Sequence, residues 1–136
     1  MKAKATYTVK KWEEHSYEQI SPNIKMTKAS IEYGFSGEIL GTASAEYLMF
    51  YRHFDPNDQH KASAAYVALL RFEGSLSGRS GSFVMIDNGT FEGGTANSDL
   101  QIAEGSGTGT LQGITGTGMY RANQDGFHFQ LDYELP

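Results

Sequence analysis

Apolar and polar residues alternate with a period of two along most of this chain, and that pattern predicts strands. Residues 3–12 place Ala5, Tyr7 and Val9 on one side, with Thr6, Thr8 and Lys10 on the other. A polar stretch, WEEHSYEQISPN, follows; it admits one helical turn around Glu13 to Gln19 and closes on the turn signal Ser21-Pro22-Asn23. The second strand spans residues 24–35, with Thr27, Ala29, Ile31, Tyr33 and Phe35 on one face. The third spans about 38–53, with Ala43, Ala45, Tyr47, Met49 and Tyr51 on one face. Asp55-Pro56-Asn57-Asp58 has β-turn composition, and a fourth strand covers 62–76, with faces Tyr66, Ala68, Leu70, Phe72 and Val67, Leu69, Arg71, Glu73. A fifth strand is expected at 82–87, ended by the type I′ hairpin signal Asn88-Gly89, and a sixth through Phe91 and Glu92. Residues 95–104 form a weaker candidate, and Asp125-Gly126 leads into a final segment where Phe127, Phe129, Leu131, Tyr133 and Leu135 share a face. No segment sustains a 3.6-residue period, so seven or eight hairpin-linked strands predict an all-β antiparallel barrel or β-sandwich.

The glycines favour the barrel. The unit Gly-x-apolar-x-Gly occurs four times, as GEILG at 37–41, GSLSG at 74–78, GTFEG at 89–93 and GTLQG at 109–113. Each unit puts two glycines and one apolar side chain on one face, which suits the tight coiling and tapering interior of a small closed barrel. The densest stretch, GSGTGTLQGITGTG at 105–118, shifts its glycine parity near Ile114-Thr115, so it is expected to be a sharply curved barrel strand with a β-bulge. It is not a phosphate loop: Gly113-x4-Gly118 is followed by Met119 where a P-loop requires lysine, and no dinucleotide fingerprint opens a helix.

These motifs carry a resemblance. The Trp12-Glu13 start, GSLSGRSGSFVM followed by NGTFEGG, and above all GSGTGTLQGITGTG resemble a group of small uncharacterised bacterial proteins, a domain family of unknown function. Their barrel is similar to the calycin-like barrel of plant allene oxide cyclase. The resemblance covers nearly the whole chain and implies an eight-stranded antiparallel β-barrel that self-associates. It implies no assigned chemistry. The cyclases with this barrel enclose a hydrophobic substrate and steer ring closure largely by shape.

Composition narrows the function classes. The 136 residues suit one domain, and a net charge of −5 leaves no basic footprint for nucleic acid. With no cysteine there is no disulfide, thiolate metal site or cysteine nucleophile. The start MKAKATYTVKKW has no apolar core of signal-peptide length and no run approaches the length of a membrane helix, so a cytoplasmic location off the membrane is expected. No cofactor motif is present.

His53, Asp55, Asp58 and His60 would be the metal candidates, but a turn separates the two histidines, and an exposed polar turn is the preferred reading; no metal is expected. No serine sits in a Gly-x-Ser-x-Gly elbow. Charged residues inside apolar strands draw more interest: Glu46, Arg52, Arg71 and Glu73. If their face is interior, Arg71 and Glu73 require each other and form the polar end of an apolar cavity, with Trp12, Tyr47, Tyr51, Tyr66 and Phe72 as wall residues. Glu73, Arg71 and Glu46 are then the candidate acid, base or charge-stabilising groups. If the face is solvent or an interface, Arg71 and Glu73 are an ordinary ion pair. Three functions follow: a barrel enclosing a small hydrophobic molecule, acting as an isomerase or cyclase; a non-catalytic carrier; or a structural module with a filled interior. An interior cavity of roughly 300 Å³ separates the first two from the third. Because both faces of the third and fourth strands are apolar, Leu48, Phe50, Val67 and Leu69 need an outer cover, which predicts a homodimer or higher oligomer.

Overall fold

The computed structural model describes residues 1–58 and 61–136. Eight antiparallel strands in chain order close into one ring, a closed barrel in which the first strand returns to pair with the last. They are β1 (Lys2–Ser21), β2 (Ile24–Gly37), β3 (Ile39–His53), β4 (Ser63–Leu76), β5 (Arg79–Glu92), β6 (Thr95–Ile102), β7 (Thr115–Asn123) and β8 (Gly126–Glu134). Among the described residues there is no α-helix, and hence no helix long and apolar enough to cross a membrane. Closure pairs the first strand with the last over Lys2–Thr6, so within the ring no strand is left as the edge that a sandwich would keep.

Alternation sorts the two faces cleanly. Tyr33 and Phe35 on β2, Ala43, Ala45 and Tyr47 on β3, and Tyr66, Ala68, Leu70 and Phe72 on β4 all point inward and are buried. Alanines beside large rings let side chains from facing strands interdigitate across a narrow interior. At one point the backbones themselves touch. Gly41 pairs with Gly74, at φ of 147° and 155°, and a Cβ on either would strike the backbone of the facing strand. That approach tightens the β3–β4 wall near one end of the barrel.

Three local expectations are corrected. The polar stretch after Trp12 makes no helical turn; it continues β1 to Ser21, paired with β2 and interrupted by irregularities such as the one between Val9 and Lys11. This part of the strand extends beyond the closed wall, because β8 pairs with β1 only from Lys2 to Thr6. With solvent around it, it needs no apolar alternation.

Asn88-Gly89 is not a turn. β5 runs through it to Glu92, and the hairpin falls at Gly93-Gly94, both at positive φ as a tight turn requires. Gly89 is needed for another reason: a Cβ there would lie 2.5 Å from the Tyr66 ring and the Ser98 hydroxyl.

The stretch 105–118 is not one curved strand either. Residues 105–114 are a loop with a single 3-10 turn at Gly109–Leu111, and only Thr115 onward is strand. Thr108 bonds Ser82 through both its backbone N–H (2.9 Å) and its hydroxyl (2.6 Å), and the Ser106 hydroxyl bonds Ala103 and Val84. Thus tied to β5, the loop lowers Leu111 and Ile114, both essentially fully buried, into the end of the barrel as a plug.

Candidate functional site

The centre of the barrel is polar, and it is built around a residue the alternation rule puts there. Phe83, Met85 and Asp87 share the inward face of β5, so continuing the strand through Asn88 carries the Asp87 carboxylate into the core, at 0% exposure. Five other strands bring hydroxyls to the network around it. Tyr120 on β7 donates to Oδ2 at 2.9 Å and Tyr47 on β3 donates to the same atom at 3.3 Å. Tyr47 is in turn 2.7 Å from the Tyr33 hydroxyl and 3.0 Å from that of Tyr120. Tyr66 on β4 lies 3.4 Å from Tyr120 and shares a 2.6 Å hydrogen bond with Ser98 on β6. Above this network Tyr7 packs edge-on against Tyr33 and Tyr120 and stacks on Phe127.

Among the described residues no cation pairs with the carboxylate. Burial raises the Asp87 pKa from 3.8 to about 6, against the opposing effect of the Tyr120, Ser98 and Tyr47 hydroxyls and with a small further rise from Asp99. Its Oδ1 accepts no hydrogen bond from any described residue. Five hydroxyls supply five protons to seven hydrogen bonds of 2.6–3.5 Å. A proton on Asp87 adds a donor that this network lacks, in the same sense as the raised pKa. The tyrosines shift upward as well: burial pushes Tyr7, Tyr33, Tyr47, Tyr66 and Tyr120 above the ordinary phenol value, so they remain neutral donors.

The space among Tyr7, Tyr33, Phe35, Leu70, Tyr120 and Phe129 holds no water-sized void. A groove of about 240 Å³ lies on the β1–β8–β7 wall, with Lys4, Arg121 and His128 at its sides and Ala5, Tyr120 and Phe129 along its floor. It is smaller than the usual ligand site, but Tyr120 links it directly to Asp87.

The residues singled out by sequence divide. Tyr47 and Tyr66 belong to the central network. Phe72 is fully buried away from it, packed on Phe83 at 5.1 Å and Phe35 at 5.9 Å. Tyr51 is half-buried at the β1–β2 end, where its hydroxyl and that of Thr27 both donate to Glu14 Oε2, at 2.8 and 2.6 Å. Burial and the Glu14 carboxylate raise the Tyr51 pKa. Trp12 is 50% exposed and donates its indole N–H to Glu14 Oε1, outside the interior.

Arg71 and Glu73 face outward and pair with each other at 3.1 Å, so the solvent-facing alternative describes their placement. Glu46 is also exposed and accepts from Ser30, and Arg52 pairs with Glu92 at 2.8 Å. Asp55 accepts from the Asn57 N–H in a local turn, while His60 lies outside the described residues. Among the described residues no three His, Asp or Glu side chains converge.

Sequence reading missed Asp87, Tyr33, Tyr120 and Ser98 as a site. A signal existed: Phe83-x-Met85-x-Asp87 is an unbroken alternation that ends on a carboxylate. It was obscured because Asn88-Gly89 reads as a turn, which would leave Asp87 at a solvent-exposed strand end.

No curated protein matches this chain. It is similar in structure to a protein with unknown function from the DUF3224 family of Shewanella oneidensis MR-1, with a TM-score of 0.81 and 24% identity over 100% of this chain and 97% of that one. That likeness extends the closed β fold to a relative of low identity. Residues 3–134 match the family described as protein of unknown function (DUF3224), and the chain belongs to that family.

Proposed function

We propose that this barrel binds a small, mostly apolar molecule carrying one O–H or N–H group, and that Asp87 Oδ1 receives that group. The observation that carries the reading is a fully buried carboxylate oxygen without a partner among the described residues, set among aromatic rings. A packed core gains nothing from such an atom: leaving a buried acceptor unpaired costs about 1–3 kcal/mol, which a ligand donor would recover. The tyrosine ring supplies shape and further hydroxyls. The likeness to the allene oxide cyclase barrel belongs to this proposal, as an enclosed aromatic interior that holds a flexible molecule in one conformation. With its pKa near 6, Asp87 is also suited to exchange a proton with a bound molecule, which is the isomerase form of the reading. Because the space among Tyr7, Tyr33 and Tyr120 holds no water-sized void, a ligand entering there must displace a ring, and Phe127, which stacks on Tyr7 and is 37% exposed, is the ring of this cluster that reaches solvent.

The close packing of that space favours one rival, a structural barrel in which Asp87 only orders the tyrosines. Native mass spectrometry of the purified protein separates the two. A small-molecule adduct carried by the wild type and lost from Asp87→Asn supports binding. Ligand-free protein, together with an Asp87→Leu variant that is more stable than wild type, supports the structural barrel, because an apolar side chain of similar size then replaces a buried charge at a gain.

A further inference from the structure

The outer face of β3, β4 and β5 carries an apolar patch that the barrel itself leaves uncovered. Leu48 stands opposite Val67 across β3–β4, and Leu69 stands opposite Ile86 across β4–β5, so the four side chains form one block. They are 48%, 52%, 58% and 47% exposed, and Phe50 extends the block along β3. No interior site remains for them, since the alternate residues Tyr66, Ala68, Leu70 and Phe72 already fill the core side of β4. A contiguous apolar face of this kind marks an association surface.

The charges around the patch say what covers it. At one end lies the Arg71–Glu73 pair, at the other the Arg52–Glu92 pair. Each end therefore carries one positive and one negative group. On the β2–β3 side of the block Lys28 stands beside Leu48 and Glu46 beside Leu69, again one charge of each sign, which gives an apolar strip on β4 and β5 with a polar rim of balanced charge. We propose that this face joins two copies of the chain in a two-fold dimer, with the axis lying in the interface and crossing β4 at Ala68. That axis sets Val67 of one copy against Leu69 of the other. It also lays the Arg71–Glu73 end over the opposite Arg52–Glu92 end, where each arginine meets a carboxylate and no like charges are forced together. The two residues first singled out as candidate acid and base thus become rim groups of an interface. This inference is independent of ligand binding at Asp87.

Sedimentation equilibrium on wild type, Val67→Lys, Leu69→Glu and the double variant tests it. Both positions are exposed, so each variant keeps the fold, checked by circular dichroism and thermal melting. Wild type is expected to be a dimer at micromolar concentration, and each single substitution to weaken association by about 100-fold or more through a charge buried in an apolar contact. In the double variant each new lysine faces a new glutamate across the axis, and association is expected to recover by about tenfold over either single. Wild type that stays monomeric at about 100 μM overturns the proposal. So do single variants that dimerise as well as wild type, which would move the contact elsewhere, such as to the β1 segment beyond Thr6. A double variant weaker than both singles rejects the two-fold placement.

Discussion

Asp87 and Glu73 are carboxylates on adjacent strands, and they live in opposite worlds. Glu73 stands on the outer face of β4 in water, 3.1 Å from the Arg71 guanidinium. Asp87 stands fully buried on the inner face of β5, held by two tyrosine hydroxyls on one oxygen and, among the described residues, by no cation and by no donor on the other oxygen. Charge partners alone would have ranked Glu73 as the more special group. Solvation reverses the ranking: a paired carboxylate in water is ordinary, and removing a lone one from water is what changes its chemistry.

The largest effect expected around this contrast comes from the apolar wall that keeps water out. Phe72→Ala, which opens a cavity in the ring cluster with Phe35 and Phe83, should cost about 3–5 kcal/mol in urea unfolding. A loss below about 1 kcal/mol would mean that the wall collapses readily and that the enclosure of Asp87 is not rigid.

Next is the pH response of Asp87 itself. Its folded pKa lies above the unfolded value, so the folded state binds the proton first as pH falls, and ionisation opposes folding as pH rises from about 4 to 6. The rise from 3.8 to about 6 corresponds to about 3 kcal/mol, present as extra stability below pH 4 and lost above pH 6. Subtracting the same curve for Asp87→Asn isolates this contribution from the other acids. A difference curve that is flat over that window would place Asp87 in a wetter setting than the fold implies.

A smaller change is expected from Tyr120→Phe, which removes the shorter hydrogen bond to Asp87. It should destabilise the protein by about 1–3 kcal/mol and move the Asp87 midpoint upward, since Tyr120 favours the ionised form. The carboxyl carbon shift in NMR reports that midpoint directly, and a downward move would contradict the assignment of the network. The smallest effect belongs to Glu73→Gln, within about 0.5 kcal/mol on unfolding, because an exposed pair contributes little in water. A cost above 1.5 kcal/mol would show that the outer pair is not the bland member of this comparison.

Much of the architecture is legible in the chain before any coordinates. The period-two pattern of β3 and β4 sorts their residues into two faces, because a strand's side chains alternate whatever its neighbours do, but both faces are apolar and which one points inward is decided by the barrel. The paired glycines at 41 and 74 likewise announce close backbone approach. Turns were less legible. Asn88-Gly89 has hairpin chemistry, yet it lies inside β5, since Tyr66 and Ser98 occupy the space beside Gly89 and its lack of a side chain serves packing. The glycine-rich stretch has the composition of a curved strand, yet its serine and threonine hydroxyls tie residues 105–114 to β5 as a loop that plugs the barrel with Leu111 and Ile114.

The division has a physical origin. Alternation is a property of residues near one another in sequence, so the linear chain alone dictates an all-β protein with strands whose two faces can be told apart. The setting of Asp87 is a property of groups far apart in sequence: Tyr47 is 40 residues away and Tyr120 is 33. Whether that carboxylate would be hydrated, paired or stranded depends on which strands meet across the barrel. Only closure of the ring brings them together, excludes water and leaves one oxygen without a donor.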